Sequence, residues 1–431
     1  MKKIVIFINS YNDVDNILPF IDYILLNNIA KIVLYKAKLS SLSSCKDHLD
    51  YLKNTYDLIP IDYEMNFSMF CKGILSAHEK IERFAYRAKS NSFLIPILFL
   101  SSILKIVTGY LLERELNRKQ IALNSDIAMI DFGKELGLMG REITSHFQNA
   151  KIAVVGYLHG FCIYTNIGSS KKDRVVLSPL KKIIIKLAKP TKNRVYCDRY
   201  VVGIGQRKSY FSTSMMLNYK KQYLNRVHEI GIPRFTSEWI LKYRKNVINP
   251  KEFIYGDKHK LNVVLFISNS RYNVDVKELI RTFEELSLSN NINFVYKPHT
   301  RTGIDNAGLN NNLKAYDATA ISSLELSSWA DVGILYGTSI GFQLLQDRVP
   351  IIMPRYVHSN STIFEENDVC IVADNLEYLM NILSSSIEEI NNMVNNEKVE
   401  QFIKHFVYGN ESYDSCMNKF YQYSIYGHIQ D

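Results

Sequence analysis

The stretch NFVYKPHTR, residues 293–301, carries the side chains best suited to bind an anion. It begins as an apolar run typical of a buried strand, and Pro298 ends that strand and fixes a turn. Lys297, His299 and Arg301 therefore project from the strand end as cationic or hydrogen-bonding groups. Such a set suits a phosphate or diphosphate, although a polar surface loop with a structural histidine has the same composition.

A second candidate lies in ADVGILYGTSIGF, residues 330–342, where a predicted strand leads through Gly337, Thr338 and Ser339 into a helix that extends to about Gln346. Glycine permits an unusual backbone angle or the close approach of a ligand. Thr338 or Ser339 can cap the helix, whose free N–H groups and positive dipole end attract phosphate. A plain connection between a strand and a helix also uses Gly-Thr-Ser. This block therefore indicates a phosphate site only in combination with the KPHTR block.

The third candidate, RYVHSNSTIFEE at residues 355–366, follows another predicted strand and contains His358, Glu365 and Glu366. Carboxylates just beyond a strand end can accept hydrogen bonds from sugar or ribose hydroxyls. Adjacent glutamates are also typical of the solvated start of a helix. We therefore expect only one of the two to bind a ligand.

These blocks follow strands because the whole chain alternates short apolar runs with longer helical stretches. The alternation predicts an α/β fold of βαβ units, and the continuous apolarity of the runs indicates parallel sheets covered on both faces. The predicted strands are Lys3–Asn9, Lys31–Lys36, Asp57–Ile61, Asp126–Phe132, Ile152–His159 and Arg199–Ile204, then Leu261–Ser268, Asn293–His299, Val332–Gly337, Pro350–Pro354 and Val369–Ala373.

The stretch Asn246–Lys260, with its Pro, Gly and charges, separates the two series of strands. We expect a first Rossmann-like domain over residues 1–245, a linker over 246–260 and a second Rossmann-like domain over 261–386. The tail, residues 387–431, is predicted to be helical and to cross back onto the first domain. Two such sheets leave a cleft, and ligands bind outside the carboxyl ends of parallel strands.

The motifs KPHTR, ADVGILYGTSIGF and HSNSTIFEE occur in this order between Leu261 and Asp374. Together they resemble the C-terminal domain of bacterial capsular-polysaccharide glycosyltransferases and, more distantly, the CDP-glycerol glycerophosphotransferases of teichoic-acid synthesis. The resemblance implies a GT-B fold, with an acceptor-binding first domain and a donor-binding second domain. It implies a cytoplasmic enzyme of surface-polysaccharide synthesis (capsule, O-antigen or similar). Such an enzyme transfers a sugar from a nucleotide- or phosphate-activated donor to a glycan or lipid-linked glycan acceptor.

An inverting transfer also needs a base to deprotonate the acceptor hydroxyl. Asp131, at a predicted strand end, is one candidate. His159, in GYLHG, is another, because it resembles a His-Gly element that serves those families as base or substrate ligand. Glu142 is a third. Either residue has a structural alternative: Asp131 as a helix cap, His159 as an ordinary structural histidine. A retaining reaction needs no such base. The sequence therefore does not decide which residue, if any, is the base. No D-x-D metal pattern stands out, and we expect no obligatory metal and no cofactor.

The formal net charge of +9 favours an acidic partner such as a phosphorylated substrate or an anionic membrane. Nucleic acid is disfavoured, because no stripe interleaves Arg and Lys with aromatics. Phe93–Leu112 is nearly long enough to span a bilayer, but Lys105 opposes spanning, so we expect a buried or interfacial helix. Lys171–Arg194 has nine Lys/Arg and is either a basic membrane-surface element or a solvated loop. Peripheral binding to the inner face of the cell membrane is therefore expected.

Other functions fit the same scaffold. They are a polyol-phosphate transferase, a nucleotide-sugar 2-epimerase, and a non-catalytic glycan- or nucleotide-binding module. The six cysteines are scattered without a C-x-x-C pair, which disfavours a zinc site or a disulfide framework.

Overall fold

Two parallel β-sheets organise the chain, one in each half. A computed structural model of the protein describes residues 1–36, 45–63, 67–87, 95–135, 137–157, 160–166, 196–207, 221–248, 253–268, 274–298 and 315–429. The parallel sheets, each flanked by helices, confirm the predicted α/β class.

The strands of the first sheet are β1 (Lys2–Ile8), β2 (Ala30–Lys36), β3 (Ile61–Asp62), β4 (Ile127–Asp131), β5 (Ala153–Tyr157), β6 (Arg199–Gly203) and β7 (Val227–Ile230). Their order across the sheet is β3-β2-β1-β4-β5-β6-β7, and every neighbouring pair is parallel. Side chains on opposite faces of β1, such as Val5 and Ile6, are equally buried, because helices cover both faces.

Two features of this sheet differ from the prediction. The sequence pattern does not predict β7, whose sequence VHEI holds only two apolar residues. The strand predicted over Asp57–Ile61 begins only at Ile61, because Asp57 ends the preceding helix in the left-handed conformation, with φ of 51°.

The helices of the first half are α1 (Tyr11–Leu26), α2 (Lys46–Tyr56), α3 (Met69–Arg87), α4 (Ile95–Lys119), α5 (Gly140–Asn149) and α6 (Ser237–Tyr243). Helix α4 contains most of the apolar run predicted as a buried or interfacial helix. Among the helices that the structure describes, none is long and apolar enough to span a membrane.

The second sheet contains β8 (Leu261–Phe266), β9 (Ile292–Lys297), β10 (Tyr316–Asp317), β11 (Val332–Leu335), β12 (Ile351–Pro354) and β13 (Ile371–Ala373). Their order is β10-β9-β8-β11-β12-β13, again parallel throughout. The two-residue strand β10 is too short to leave a sequence pattern. The accompanying helices are α7 (Val276–Leu288), α8 (Ser323–Trp329), α9 (Gly341–Gln346), α10 (Ile363–Glu366) and α11 (Leu376–Leu383).

The tail forms α12 (Ile387–Asn392), α13 (Asn396–Phe402) and α14 (Tyr413–Tyr426), with a π-helical turn over Ile403–Val407. Helix α14 packs on the first half, where Phe420 lies 4.4 Å from the ring of Phe20. Arg199 of β6 donates hydrogen bonds to the carbonyls of Ser424 and Ile425, at 2.8 and 2.7 Å. The end of the chain therefore covers the first sheet rather than the second.

Aromatic rings and an ion pair join the two halves, which we call the first and second lobes. Phe342 of α9 lies 4.9 Å from the ring of Phe161 and 5.3 Å from that of Phe235. Arg244 donates two hydrogen bonds to the carboxylate of Asp347, at 3.0 and 2.6 Å. This bidentate pair is mostly buried, so it fixes one lobe against the other more firmly than an exposed pair would.

Candidate functional site

The carboxyl ends of the two sheets meet at a short antiparallel contact. Residues 160–166, which follow β5 of the first lobe, lie beside residues 361–363, which follow β12 of the second. Thr165 N–H donates to the carbonyl of Ser361 at 3.0 Å, and Ile363 N–H donates to that of Ile163 at 2.8 Å. Loops after strands of both lobes therefore line one junction, where ligands of parallel sheets bind.

The turn after β11, residues 337–339, offers unused hydrogen-bond donors at this junction. Gly337 adopts φ of +65°, which favours glycine, and its carbonyl accepts a hydrogen bond from Ser268 Oγ at 3.0 Å. Thr338 and Ser339 are half-buried, and neither their backbone N–H groups nor the Ser339 hydroxyl bonds to another residue in the described ranges. Such donors can bind an anion without losing an existing bond.

The helix that follows this turn differs from the prediction. Helix α9 starts at Gly341 with Ile340 as its N-cap, and no side chain in the described part of the chain caps it. Thr338 Oγ1 instead accepts a long hydrogen bond of 3.4 Å from Ile340 N–H, and the carbonyl of Ser339 accepts one from Phe342 N–H at 3.2 Å. The capping role predicted for Thr338 or Ser339 is therefore wrong, and their hydroxyl groups remain able to donate.

Lys297, the first member of the KPHTR block, points into the second lobe. Its side chain is mostly buried, and its ammonium donates to the carbonyls of Ala318 at 3.2 Å, Thr319 at 2.8 Å and Ile321. Burial lowers the pKa of Lys297 to about 8. Contrary to the expected phosphate contact, its three N–H bonds hold the loop after β10, and a phosphate would have to replace one of them.

His299 and Arg301 lie outside the described residues, as does His159 of the first lobe. Their roles stay predictions.

The third block holds a buried neutral histidine and two unlike glutamates. Among the described residues, neither ring nitrogen of His358 has a hydrogen-bond partner. Burial, with the nearby Arg355, lowers the pKa of His358 to about 4. Glu365 caps α10, because its carboxylate accepts hydrogen bonds from the backbone N–H and hydroxyl of Thr362 at 2.7 and 2.9 Å and from Arg355 at 2.7 Å. Glu366 is exposed. Glu365 thus supports the fold, which leaves Glu366 as the free carboxylate of the pair.

Asp131 lies fully buried at the end of β4, beside a second carboxyl that the sequence does not single out. It accepts a hydrogen bond from Gly133 N–H at 2.8 Å and so also caps a short 3-10 turn. Asp13, in the first turn of α1, is also fully buried and accepts hydrogen bonds from Asn9 N–H at 2.8 Å and from the Ser10 hydroxyl. The two carboxyls meet because β1 and β4 are neighbours in the sheet.

The Asp13 carboxyl holds its proton to a higher pH than an ordinary aspartate does. Burial and the adjacent Asp131 carboxyl raise the pKa of Asp13 to about 7, against the lowering effect of the Ser10 and Asn9 donors. Tyr157 of β5 is buried nearby and donates to the carbonyl of Phe7 at 3.2 Å. A carboxyl whose pKa lies near 7, as that of Asp13 does, has the acid–base properties of a general base.

Glu142 lies apart from these strand ends, at the start of α5. Its carboxylate accepts a hydrogen bond from Met139 N–H at 2.9 Å and pairs with Arg141 Nε at 2.8 Å. These contacts close the first turn of the helix, so the structure assigns Glu142 a capping role rather than that of a base.

Known structures share this architecture over nearly the whole chain. The glycotransferase of kitacinnamycin is 10% identical, with a TM-score of 0.51, and the match covers 93% of this chain and 95% of that one. The Neisseria meningitidis UDP-GlcNAc 2-epimerase bound to UDP-GlcNAc is 10% identical, with a TM-score of 0.51 and 94% and 99% coverage. Another UDP-N-acetylglucosamine 2-epimerase is 12% identical, with a TM-score of 0.51 and 100% and 97% coverage.

No protein-family model matches the chain, and no curated protein sequence matches it significantly. At these identities the structural likeness establishes the fold alone. The chain has the GT-B fold, with two Rossmann-like lobes, as the sequence motifs imply.

Proposed function

We propose that the protein is a glycosyltransferase that takes a sugar from a nucleotide-activated donor to a glycan acceptor. This proposal is supported by two unlike groups, one in each lobe, that lie at or beside the carboxyl ends of parallel strands. The turn 337–339 offers donors for a leaving phosphate, and the first lobe offers Asp131 beside Asp13, whose pKa is raised to about 7. An acceptor base and a leaving-group site are the two requirements of an inverting transfer.

In this reaction Asp131 takes the proton of the acceptor hydroxyl. The acceptor oxygen forms a bond to the anomeric carbon as the bond from that carbon to the donor phosphate breaks. Thr338 and Ser339 stabilise the departing phosphate, together with His299 and Arg301, whose contribution is predicted from the KPHTR motif. His159 is the alternative base, and a retaining transfer would use the same phosphate contacts without either.

The resemblance of the three motifs supports a role in bacterial surface-polysaccharide synthesis, such as capsule or O-antigen. The acceptor is then a growing glycan or a lipid-linked glycan. This proposal requires the enzyme to work close to the cytoplasmic face of the membrane.

The outer face of α4 supports such a location. Leu100, Ile103, Ile106, Val107 and Tyr110 follow helical spacing along it, and each is between 40% and 61% exposed. The exposed residues Arg114 and Lys119 continue the helix beyond this apolar face. An apolar stripe that ends in basic residues fits a helix lying in the surface of an anionic bilayer. We call these five residues the α4 apolar stripe.

A nucleotide-sugar 2-epimerase is the second candidate. The epimerases of the same fold, one of them bound to UDP-GlcNAc, favour it. An epimerase needs no separate acceptor, whereas the transferase does. A polyol-phosphate transferase and a non-catalytic binding module are also compatible with this fold.

One activity assay separates these functions. The purified protein is incubated with a panel of nucleotide sugars and CDP-glycerol, with and without a glycan acceptor. A transferase releases nucleotide at an appreciable rate only when the acceptor is present. An epimerase interconverts the donor without the acceptor, a polyol-phosphate transferase releases CMP from CDP-glycerol, and a binding module binds without turnover. Asp131→Asn should keep donor affinity and lose about a hundredfold or more in transferase turnover, because the base is removed.

A further inference from the structure

The segment 160–166, which we call the crossing segment, extends from the first lobe onto the second. Besides its two backbone hydrogen bonds to residues 361–363, it is held by Asn166, whose Oδ1 accepts from Ser361 N–H at 3.0 Å and whose Nδ2 donates to Ser361 Oγ at 3.3 Å. Phe161 anchors its other end against Phe342. Five contacts of different kinds therefore fix the position of the residue between them, Tyr164.

The hydroxyl of Tyr164 lies directly against the turn 337–339. A Cβ atom added to Gly337 would stand 1.9 Å from this hydroxyl and 2.9 Å from Ser268 Oγ. Tyr164 is only 6% exposed, and its hydroxyl meets the second lobe at Gly337. The space that any side chain at position 337 would need is thus filled by a first-lobe hydroxyl.

Hydrogen-bonding groups from both lobes lie close to this point. The turn supplies the N–H groups of Thr338 and Ser339 and the Ser339 hydroxyl, which bond to no other residue within the described ranges, and Tyr164 adds a phenol. No other first-lobe side chain within the described ranges has its polar atom within 3 Å of the Gly337 Cβ position.

We propose that Tyr164 is a donor-binding residue, contributed by the first lobe, whose hydroxyl donates a hydrogen bond to the donor phosphate held at the turn 337–339. The inference rests on the proposed function, since it assumes that the turn holds that phosphate. Because Tyr164 belongs to the crossing segment, donor binding and lobe contact strengthen each other by the same factor.

Calorimetric titration of the Tyr164→Phe variant tests this assignment. Two probes are used: UDP, and inorganic pyrophosphate, which lacks a base and a sugar. The variant keeps the ring and loses the hydroxyl, so affinity for both probes should fall about tenfold or more, the effect of losing a hydrogen bond to a charged group. Ser339→Ala should weaken both probes similarly. Tyr378→Phe, an exposed tyrosine on α11, is the matched control and should bind both probes like the wild type.

The outcomes distinguish a failure of the proposed donor site from a failure of the role proposed for Tyr164. If the wild type binds neither probe, both the donor site and the role of Tyr164 fail. If Ser339→Ala weakens binding but Tyr164→Phe does not, the donor site stands and the inference about Tyr164 is overturned. Should Tyr164→Phe not fold, Asn166→Ala loosens the crossing segment without altering Tyr164. Its affinity for UDP should fall several-fold, and an unchanged affinity would overturn the inference.

Discussion

Asp13 shows how a neighbouring buried carboxyl, that of Asp131, changes the ionisation of an ordinary side chain. Two buried carboxylates side by side cannot both stay ionised without a large electrostatic cost, so one proton is retained to a higher pH than either group alone would allow. The sign of the resulting pH dependence follows from the raised pKa of Asp13. A carboxyl that titrates higher in the folded state stabilises the fold below its unfolded pKa of about 3.9, and that stability is lost as pH rises through about 7.

Asp13→Asn should therefore gain stability relative to the wild type as pH rises from about 4 to 8. The difference in unfolding free energy should grow by up to about 4 kcal/mol, the equivalent of a shift of about three pKa units. Urea denaturation at a series of pH values measures it.

Asp126→Asn is the matched control with the opposite sign. The Lys2 ammonium and the Lys3 N–H lower the pKa of Asp126, so this variant should lose stability relative to the wild type above about pH 4. A flat pH dependence for Asp13→Asn would mean that the two carboxyls do not interact in the folded protein.

At the scale of elements, the docking of the tail depends on one glycine. Gly231 follows β7, and a Cβ atom there would stand 2.1 Å from the carbonyl oxygen of Val407, in the π-helical turn. The next residue, Ile232, donates its N–H to that same carbonyl at 2.7 Å. The two backbones can approach this closely only where no side chain intervenes.

Gly231→Ala should destabilise the protein by about 2–3 kcal/mol, because the tail must shift away from β7 or the backbone must deform. Gly73→Ala is the control, since Gly73 lies in α3 with open space around its Cβ position. That change should gain about 0.5–1 kcal/mol from helix propensity. Denaturant unfolding measures both, and wild-type stability in Gly231→Ala would contradict the contact between the tail and β7.

At the scale of the whole molecule, the net charge and the α4 apolar stripe both predict binding to an anionic membrane surface. The protein should sediment with vesicles of phosphatidylglycerol and phosphatidylcholine at low salt, and less at high salt, because exposed charges are screened within about 8 Å at physiological ionic strength. Ile106→Ser should weaken binding about fivefold, since a half-exposed isoleucine contributes about 1 kcal/mol on entering the bilayer surface.

Leu288→Ser is the matched control for this surface. Leu288 is also exposed, but it lies at the end of α7 in the second lobe, and its loss should leave vesicle binding unchanged. Absence of binding by the wild type at low salt, or equal losses in the two variants, would show that α4 does not face a membrane.

The sequence by itself determined the element pattern. Strands such as β8 and β11 are recognisable because both of their faces are buried, which requires an unbroken apolar run. Gly337 is recognisable because the turn after a strand needs the conformational freedom of glycine. These signals are local, so no knowledge of the fold is required. Strand β7, half polar and at the sheet edge, carries too weak a signal of this kind.

Only the tertiary structure decided which chemical groups meet. Asp13 reaches Asp131 because β1 and β4, distant in the chain, are neighbours in the sheet, and Tyr164 reaches Gly337 because the two lobes pack together. The sequence identifies Lys297 as a cation, but not where its side chain points. The structure shows its ammonium donating hydrogen bonds to carbonyls of the loop after β10. The burial of a side chain, the contact between lobes and the pairing of two carboxyls each depend on packing and desolvation over the whole fold. No local sequence pattern therefore shows them.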